Sequence, residues 1–169
     1  MIVKRIARWR VPLGFAVGIL ALVLATPTRR SLILGTMVAV AGELIRIWAA
    51  GHLEKGSEVT ISGPYALTRH PLYFGSTLIG LGLAAASANW WVTVLVVSYL
   101  AMTFSAAIRT EEAHLTEKFG AAYPDYREGR TTAARRRFSL HRVLRNREYR
   151  SVIGLLIVAA ILSWKAFAG

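Results

Sequence analysis

The chain has 169 residues, of which 54% are apolar and only 18% charged, and it contains no cysteine. Its mean hydropathy of +0.44 is too high for an average soluble domain, in which about 25% of residues are charged; the solvent expected for it is lipid, and the missing thiols exclude disulfides, thiolate metal sites and cysteine nucleophiles. The 21 Lys and Arg against 9 Asp and Glu leave a net charge of +12, which in so apolar a chain points to membrane topology and anionic headgroups rather than to nucleic acid.

Five apolar stretches follow one another at about residues 11–26, 31–50, 72–88, 90–108 and 151–168. Each is at or near the roughly 17–25 helical residues needed to cross a hydrocarbon core. No stretch alternates with a period of two for long enough to suggest a barrel, so the expected fold is all-α, a polytopic integral membrane protein of one domain over residues 1–169. The first stretch opens at Val11-Pro12 and closes at Thr26-Pro27-Thr28, because proline suits a first helical turn and stops a helix elsewhere. Lys4, Arg5, Arg8 and Arg10 ahead of it imitate a secretory signal. A second apolar helix follows at once, however, and the pair reads as a retained helical hairpin.

Counting cations by loop gives the orientation. With the N-terminus cytoplasmic, that side holds four cations before residue 11, Lys55 and Arg69, and eleven between Arg109 and Arg150, seventeen in all, whereas the other side receives only Arg29, Arg30 and Lys165. The positive-inside rule then places the 51–71 loop and the basic 109–150 segment together on the cytoplasmic face.

Within the second stretch, Glu43 and Arg46 stand three apart and so share a helix face. Ionisable groups are costly in lipid. The pair is read either as an ion pair facing the bundle interior or as Arg46 aimed into a cavity, where its planar fork would grip an anionic group. The loop that follows sets Tyr65, Arg69, His70 and Tyr73 at a membrane mouth, with Pro71 driving His70 toward extended geometry before the third stretch begins. Gly75, Gly80 and Gly82 suit close helix packing. Gly80-Leu81-Gly82 has no strand before it and is no dinucleotide fingerprint. Adjacent acids, Glu111 and Glu112, stand just beyond the fourth stretch, where arginine otherwise dominates, and Tyr123 and Tyr126 come soon after. From Arg130 to Arg150 the chain carries eight arginines and one acid, Glu148, and is read as a basic segment lying against anionic headgroups.

In order, these pieces resemble the isoprenylcysteine carboxyl methyltransferase family and the related phospholipid N-methyltransferases. The likeness is carried by Leu44-Ile45-Arg46-Ile47-Trp48-Ala49, Gly63-Pro64-Tyr65, Arg69-His70-Pro71-Leu72-Tyr73-Phe74-Gly75, Glu111-Glu112-Ala113-His114-Leu115 and Phe119-Gly120-Ala121-Ala122-Tyr123. It implies a small membrane enzyme that binds S-adenosylmethionine at the cytoplasmic ends of its helices and methylates a lipophilic acceptor, a carboxylate or an amine, entering from the bilayer. Carried over residue by residue, it puts His70, Tyr73, Gly75, Gly80, Gly82, Glu111 and Glu112 beside the cofactor. Arg46, Arg69 and Glu43 become the catalytic candidates, and Arg46, Trp48, Tyr65, Tyr123 and Tyr126 the residues that meet the substrate. No metal is expected. Two other readings are a catalytically idle membrane scaffold and an NADPH-dependent membrane reductase, the latter disfavoured because paired acids would repel a dinucleotide's phosphates.

Overall fold

The computed structural model describes residues 2–131 and 136–168. Among these residues there is no strand, and the helices in chain order are α1 (Ile2–Leu24), α2 (Arg29–His52), α3 (Pro71–Ala86), α4 (Trp90–Phe119), α5 (Ala122–Arg127), α6 (Leu140–Arg145) and α7 (Tyr149–Ala168), with a 3-10 turn at Gly63–Ala66. Three of them, α2, α4 and α7, are long and apolar enough to cross a membrane, and Val11–Leu24 and Pro71–Ala86 are shorter apolar helices beside them.

All five apolar stretches fall on helices, with differences in extent that have local causes. Helix α1 is already formed at Ile2 and runs through Pro12, so the proline lies inside the helix instead of opening it. Helix α2 starts at Arg29 because Thr28 and Ser31 form a reciprocal cap, Ser31 N–H donating to Thr28 Oγ1 at 3.1 Å and Thr28 N–H to Ser31 Oγ at 2.9 Å. Helix α3 has Pro71 in its first turn. Asn89 caps α4 by accepting from Trp91 N–H at 2.9 Å, and that helix continues well past residue 108, to Phe119, before Gly120 ends it with a φ of 54°.

Hydrogen bonds between connections show that the helices run alternately up and down. At one end Thr26 N–H donates to Ser87 O at 2.8 Å, Asn89 Nδ2 to Leu24 O at 2.8 Å, Ser31 Oγ to Ala86 O at 3.1 Å and Lys165 Nζ to Leu22 O at 2.9 Å. This tight end gathers the finish of α1, α3 and α7 with the start of α2 and α4, over a small apolar core of Ala25, Leu32, Ala86 and Leu162. Arg29 and Lys165 lie there, Arg29 over the Phe167 ring. Exposed Trp90, Trp91 and Trp164 ring the same end, while Trp9 and Trp48 are exposed toward the other, as expected of aromatic belts at two membrane interfaces.

Helices α2 and α3 pack most closely, through small residues on both. A Cβ added to Gly42 would come within 2.6 Å of Gly75 O, and one on Gly82 within 2.5 Å of Ala39 N, so the two backbones touch in the manner that small residues permit between membrane helices. At the open end, the chain from Arg136 to Glu148 closes over the C-terminus of α2. Arg142 Nε donates to Gly51 O at 2.7 Å, Asn146 Nδ2 to Ala50 O at 3.0 Å and Ser139 N–H to Gly51 O at 3.1 Å. These satisfy carbonyls that a helix end leaves without intrahelical partners. The Phe138 ring packs against Gly51, where no side chain would fit.

Part of the basic segment is tied into the fold by ion pairs. Arg136 pairs with Glu58 at 2.6 Å, Arg142 and Arg145 with Glu54, and Arg130 with Asp125 and Glu128. Arg137, Arg147 and Arg150 have no acidic partner among the described residues.

Candidate functional site

The open end encloses a cavity of about 550 Å³, walled by α2, the loop from Leu53 to Thr60, the 3-10 turn, the start of α3, both the membrane part and the extension of α4, α5, and the chain entering α7. That volume lies within the range of about 300–1,000 Å³ typical of small-molecule sites. It reaches from Glu111 and Leu115 at the loops to Tyr99, Phe104 and Ser76 inside the bundle, and Val11 of α1 borders it.

Sequence neighbours are assigned different tasks by helix geometry. Glu111 and Glu112 are adjacent on α4 and point in different directions, since residues one apart do not share a face. Glu111 lines the cavity, is exposed, and has no ion-pair partner among the described residues. Glu112 lies behind the wall and accepts from His70 Nε2 at 3.0 Å and from Arg69 Nη1 at 3.4 Å. That bond fixes the proton of His70 on Nε2 and orients the ring, against which Tyr73 stands edge-on at 5.9 Å; Tyr73 in turn meets Phe104 edge-on at 5.2 Å. The extension of α4 beyond the apolar stretch is thus what brings the acids to the His70 loop.

Three tyrosines complete this side. Tyr126 Oη donates to Tyr65 O at 2.5 Å, pinning α5 to the 3-10 turn. Burial pushes the Tyr65 phenol well above its ordinary range, with Glu111, Tyr126 and Glu148 adding to the effect and Arg46 opposing it. Burial raises Tyr123 in the same way, reinforced by Glu112, and raises Tyr126 against the opposing charge of Arg69. All three therefore stay neutral hydroxyls at physiological pH.

The inner corner is ionic. Arg46 Nε donates to Glu148 Oε1 at 2.6 Å, Arg46 Nη1 donates to Ser76 Oγ, and Glu43 Oε2 lies 3.9 Å from Arg46 while accepting from Ser151 Oγ at 2.7 Å. Glu43 and Glu148 are only 5% and 6% exposed, and Glu43 Oε1 is buried without a partner. Glu43 and Arg46 do face the interior on one helix face, but the stronger partner of Arg46 is Glu148, delivered from 102 residues away.

Of the residues singled out in the sequence, Arg46, Tyr65, Arg69, His70, Tyr73, Glu111, Tyr123 and Tyr126 all line this cavity. Glu43 and Glu112 stand one layer behind it, each bonded to a residue that lines it. The glycines are elsewhere: Gly75 and Gly82 are pressed against α2, a Cβ added to Gly75 falling 2.6 Å from Arg46 Cγ, and Gly80 faces α4, where an added Cβ would fall 2.8 Å from Leu100. They provide helix contact rather than open space at the cavity. Trp48 is exposed and does not reach it. Ser76, Tyr99, Phe104, Asn146 and Glu148, all on the lining, have no role in the reading of the sequence. Of these only Glu148 had a signal, as the single acid among eight arginines directly before an apolar helix.

Residues 13–122 match the family model for phospholipid methyltransferases. The chain is 37% identical over 113 residues to the cobalt-zinc-cadmium resistance protein CzcN of Cupriavidus metallidurans, covering 64% of this chain and 49% of that one. It is 35% identical over 88 residues to the protein-S-isoprenylcysteine O-methyltransferase of Schizosaccharomyces pombe, covering 52% and 37%, and 30% identical over 112 residues to that of Saccharomyces cerevisiae, covering 59% and 47%. The chain spans about half the length, or less, of these relatives. No solved structure matches it.

Proposed function

We propose that this chain, which belongs to the phospholipid methyltransferase family, is a one-domain membrane enzyme that transfers a methyl group from S-adenosylmethionine to a lipophilic acceptor at the cytoplasmic face. The observation that carries the reading is the convergence, on one cavity, of the unpaired Glu111 carboxylate, the Glu112-oriented His70, the Tyr73–Phe104 aromatic pair and three neutral tyrosines. S-adenosylmethionine supplies a methyl group activated by a cationic sulfonium. A cationic ligand with a ribose diol and an ammonium suits this lining: a free carboxylate accepts from its donors, and an aromatic face attracts its charge.

The chain's own residues divide accordingly. Glu111, His70 and Tyr73 would hold the cofactor, Glu112 and Arg69 would fix His70, and the Tyr65, Tyr123 and Tyr126 hydroxyls would orient polar groups without competing charge. Arg46 would position the acceptor from the inner corner. Alignment and exclusion of water then supply most of the catalysis. The apolar depth of the cavity, toward Tyr99, Phe104 and Val11, fits an acceptor arriving from the bilayer, and Arg137, Arg147 and Arg150 suit anionic headgroups. Family membership favours methyl transfer over the scaffold and reductase readings.

Purified protein in detergent should bind S-adenosylmethionine and S-adenosylhomocysteine saturably in calorimetric titration and should not bind NADPH. Saturable NADPH binding without adenosylmethionine binding would overturn the proposal.

A further inference from the structure

We infer that Glu148 sets the chemistry of the acceptor: the inner corner of the cavity takes a head that donates a hydrogen bond, an amine or an alcohol, and rejects a carboxylate. This rests on the methyl-transfer reading of the cavity and narrows the two acceptor classes that reading leaves open.

The charges at the corner decide it. One guanidinium, Arg46, already serves two nearly buried carboxylates, Glu148 at 2.6 Å and Glu43 at 3.9 Å. Its Nη1 is bonded to Ser76, whose own hydroxyl donates to Leu72 O at 2.8 Å. Arg69, the other arginine on the lining, is held by Glu112. A carboxylate head would thus compete with Glu148 and Glu43 for a guanidinium that both already hold, and would stand against the Glu148 carboxylate. A donor head meets the opposite situation, since Glu148 presents a carboxylate on the cavity lining.

Glu148 comes from outside the family-matched residues 13–122. It is placed by the C-terminal part of the chain: its N–H donates to Val143 O at 3.2 Å, and Ser151, one turn on, anchors α7 to Glu43. Arg46 alone, read within the matched region, suggests an anion grip. The residue that reverses this sign arrives from the chain that leads into α7.

The test uses the whole chain in phosphatidylcholine nanodiscs, with empty nanodiscs subtracted, and the probes octylamine, octanol and octanoate, read by calorimetry and by thermal shift. The amine and the alcohol should bind and raise the melting temperature, with octanoate at least about tenfold weaker, equivalent to about 1.4 kcal/mol. Glu148→Gln, which can still accept from Arg46, should bring octanoate within a few fold of octylamine while adenosylmethionine affinity stays within a few fold. Glu148→Asp keeps the charge and should keep the preference, so the inference is decided even where the Gln variant does not fold. Octanoate binding as tightly as octylamine to the wild type, binding of none of the three probes, or a preference that survives Glu148→Gln would overturn it. Failure of the underlying reading shows separately, as absent adenosylmethionine binding in the wild type.

Discussion

At the tight end of the bundle the chain turns from α1 to α2 through residues 25–28 and from α3 to α4 through residues 87–89, and four cross-links between these turns and Lys165 satisfy the exposed carbonyls. At the open end, eighteen residues separate α2 from α3, and the chain between α4 and α7 is longer still. Both ends solve one problem, the helix termini that lipid cannot solvate. The tight end does so with backbone, short polar side chains and the ammonium of Lys165, over an apolar core. The open end does so with donors from Arg142, Asn146 and the Ser139 backbone, while Glu54 holds Arg142 and Glu58 holds Arg136, and the same chain walls the cavity. Long connections are what allow charged groups from α2, α4 and the connections themselves to converge on one cavity.

The largest expected effect on this contrast is all-or-none. Because the chain has no cysteine, Arg30→Cys at the tight end and Arg150→Cys at the open end each introduce a unique thiol. In intact cells a membrane-impermeant maleimide should label Arg30→Cys and leave Arg150→Cys unlabelled until the cells are opened. The reverse pattern would put the cavity on the outer face. Next in size, Arg46→Ala should lower stability by about 3–5 kcal/mol, because it leaves Glu43 and Glu148 buried without their cation; a small loss in detergent melting experiments would mean the corner is hydrated. Smaller again, Gly82→Ala should cost about 1–3 kcal/mol, since its new methyl would meet the backbone of Ala39 at 2.5 Å. Gly154→Ala, with nothing within 4 Å and in the interior of α7, should not destabilise and should raise stability by up to about 1 kcal/mol through helix propensity.

The two regions also differ in how far the sequence discloses them. The five apolar stretches follow from hydropathy and proline placement. The hairpin expected of the first two does not form, because α1 packs against α4 rather than α2. The gathering of Tyr65, Arg69, His70, Tyr73 and Glu111 at one mouth is what the family resemblance implies. The roles of the glycines were ambiguous, because a small residue serves close helix contact and ligand access equally well; only the facing atoms, Gly42 against Gly75 and Ala39 against Gly82, decide for contact. The continuation of α4 to Phe119 escaped an argument based on apolarity, since a helix does not stop where its side chains become charged, only where the backbone is turned, at Gly120. The Arg46–Glu148 pair joins residues 102 apart. No local pattern announces such a pair.

The central claim is that the open-end cavity holds the cofactor on the His70 side and the acceptor on the Arg46 side. Equilibrium binding of radiolabelled S-adenosylmethionine to wild type, His70→Ala and Arg46→Lys tests it most directly, with Lys retaining the charge of Arg46 but not its fork. Removing a hydrogen-bonding group at a charged ligand typically costs about 1.5–3 kcal/mol, roughly ten- to a hundredfold in affinity. His70→Ala should weaken binding by that amount, and Arg46→Lys should leave it within a few fold while methyl transfer falls. Equal loss of cofactor binding in both variants, or undiminished binding in His70→Ala, would contradict the account.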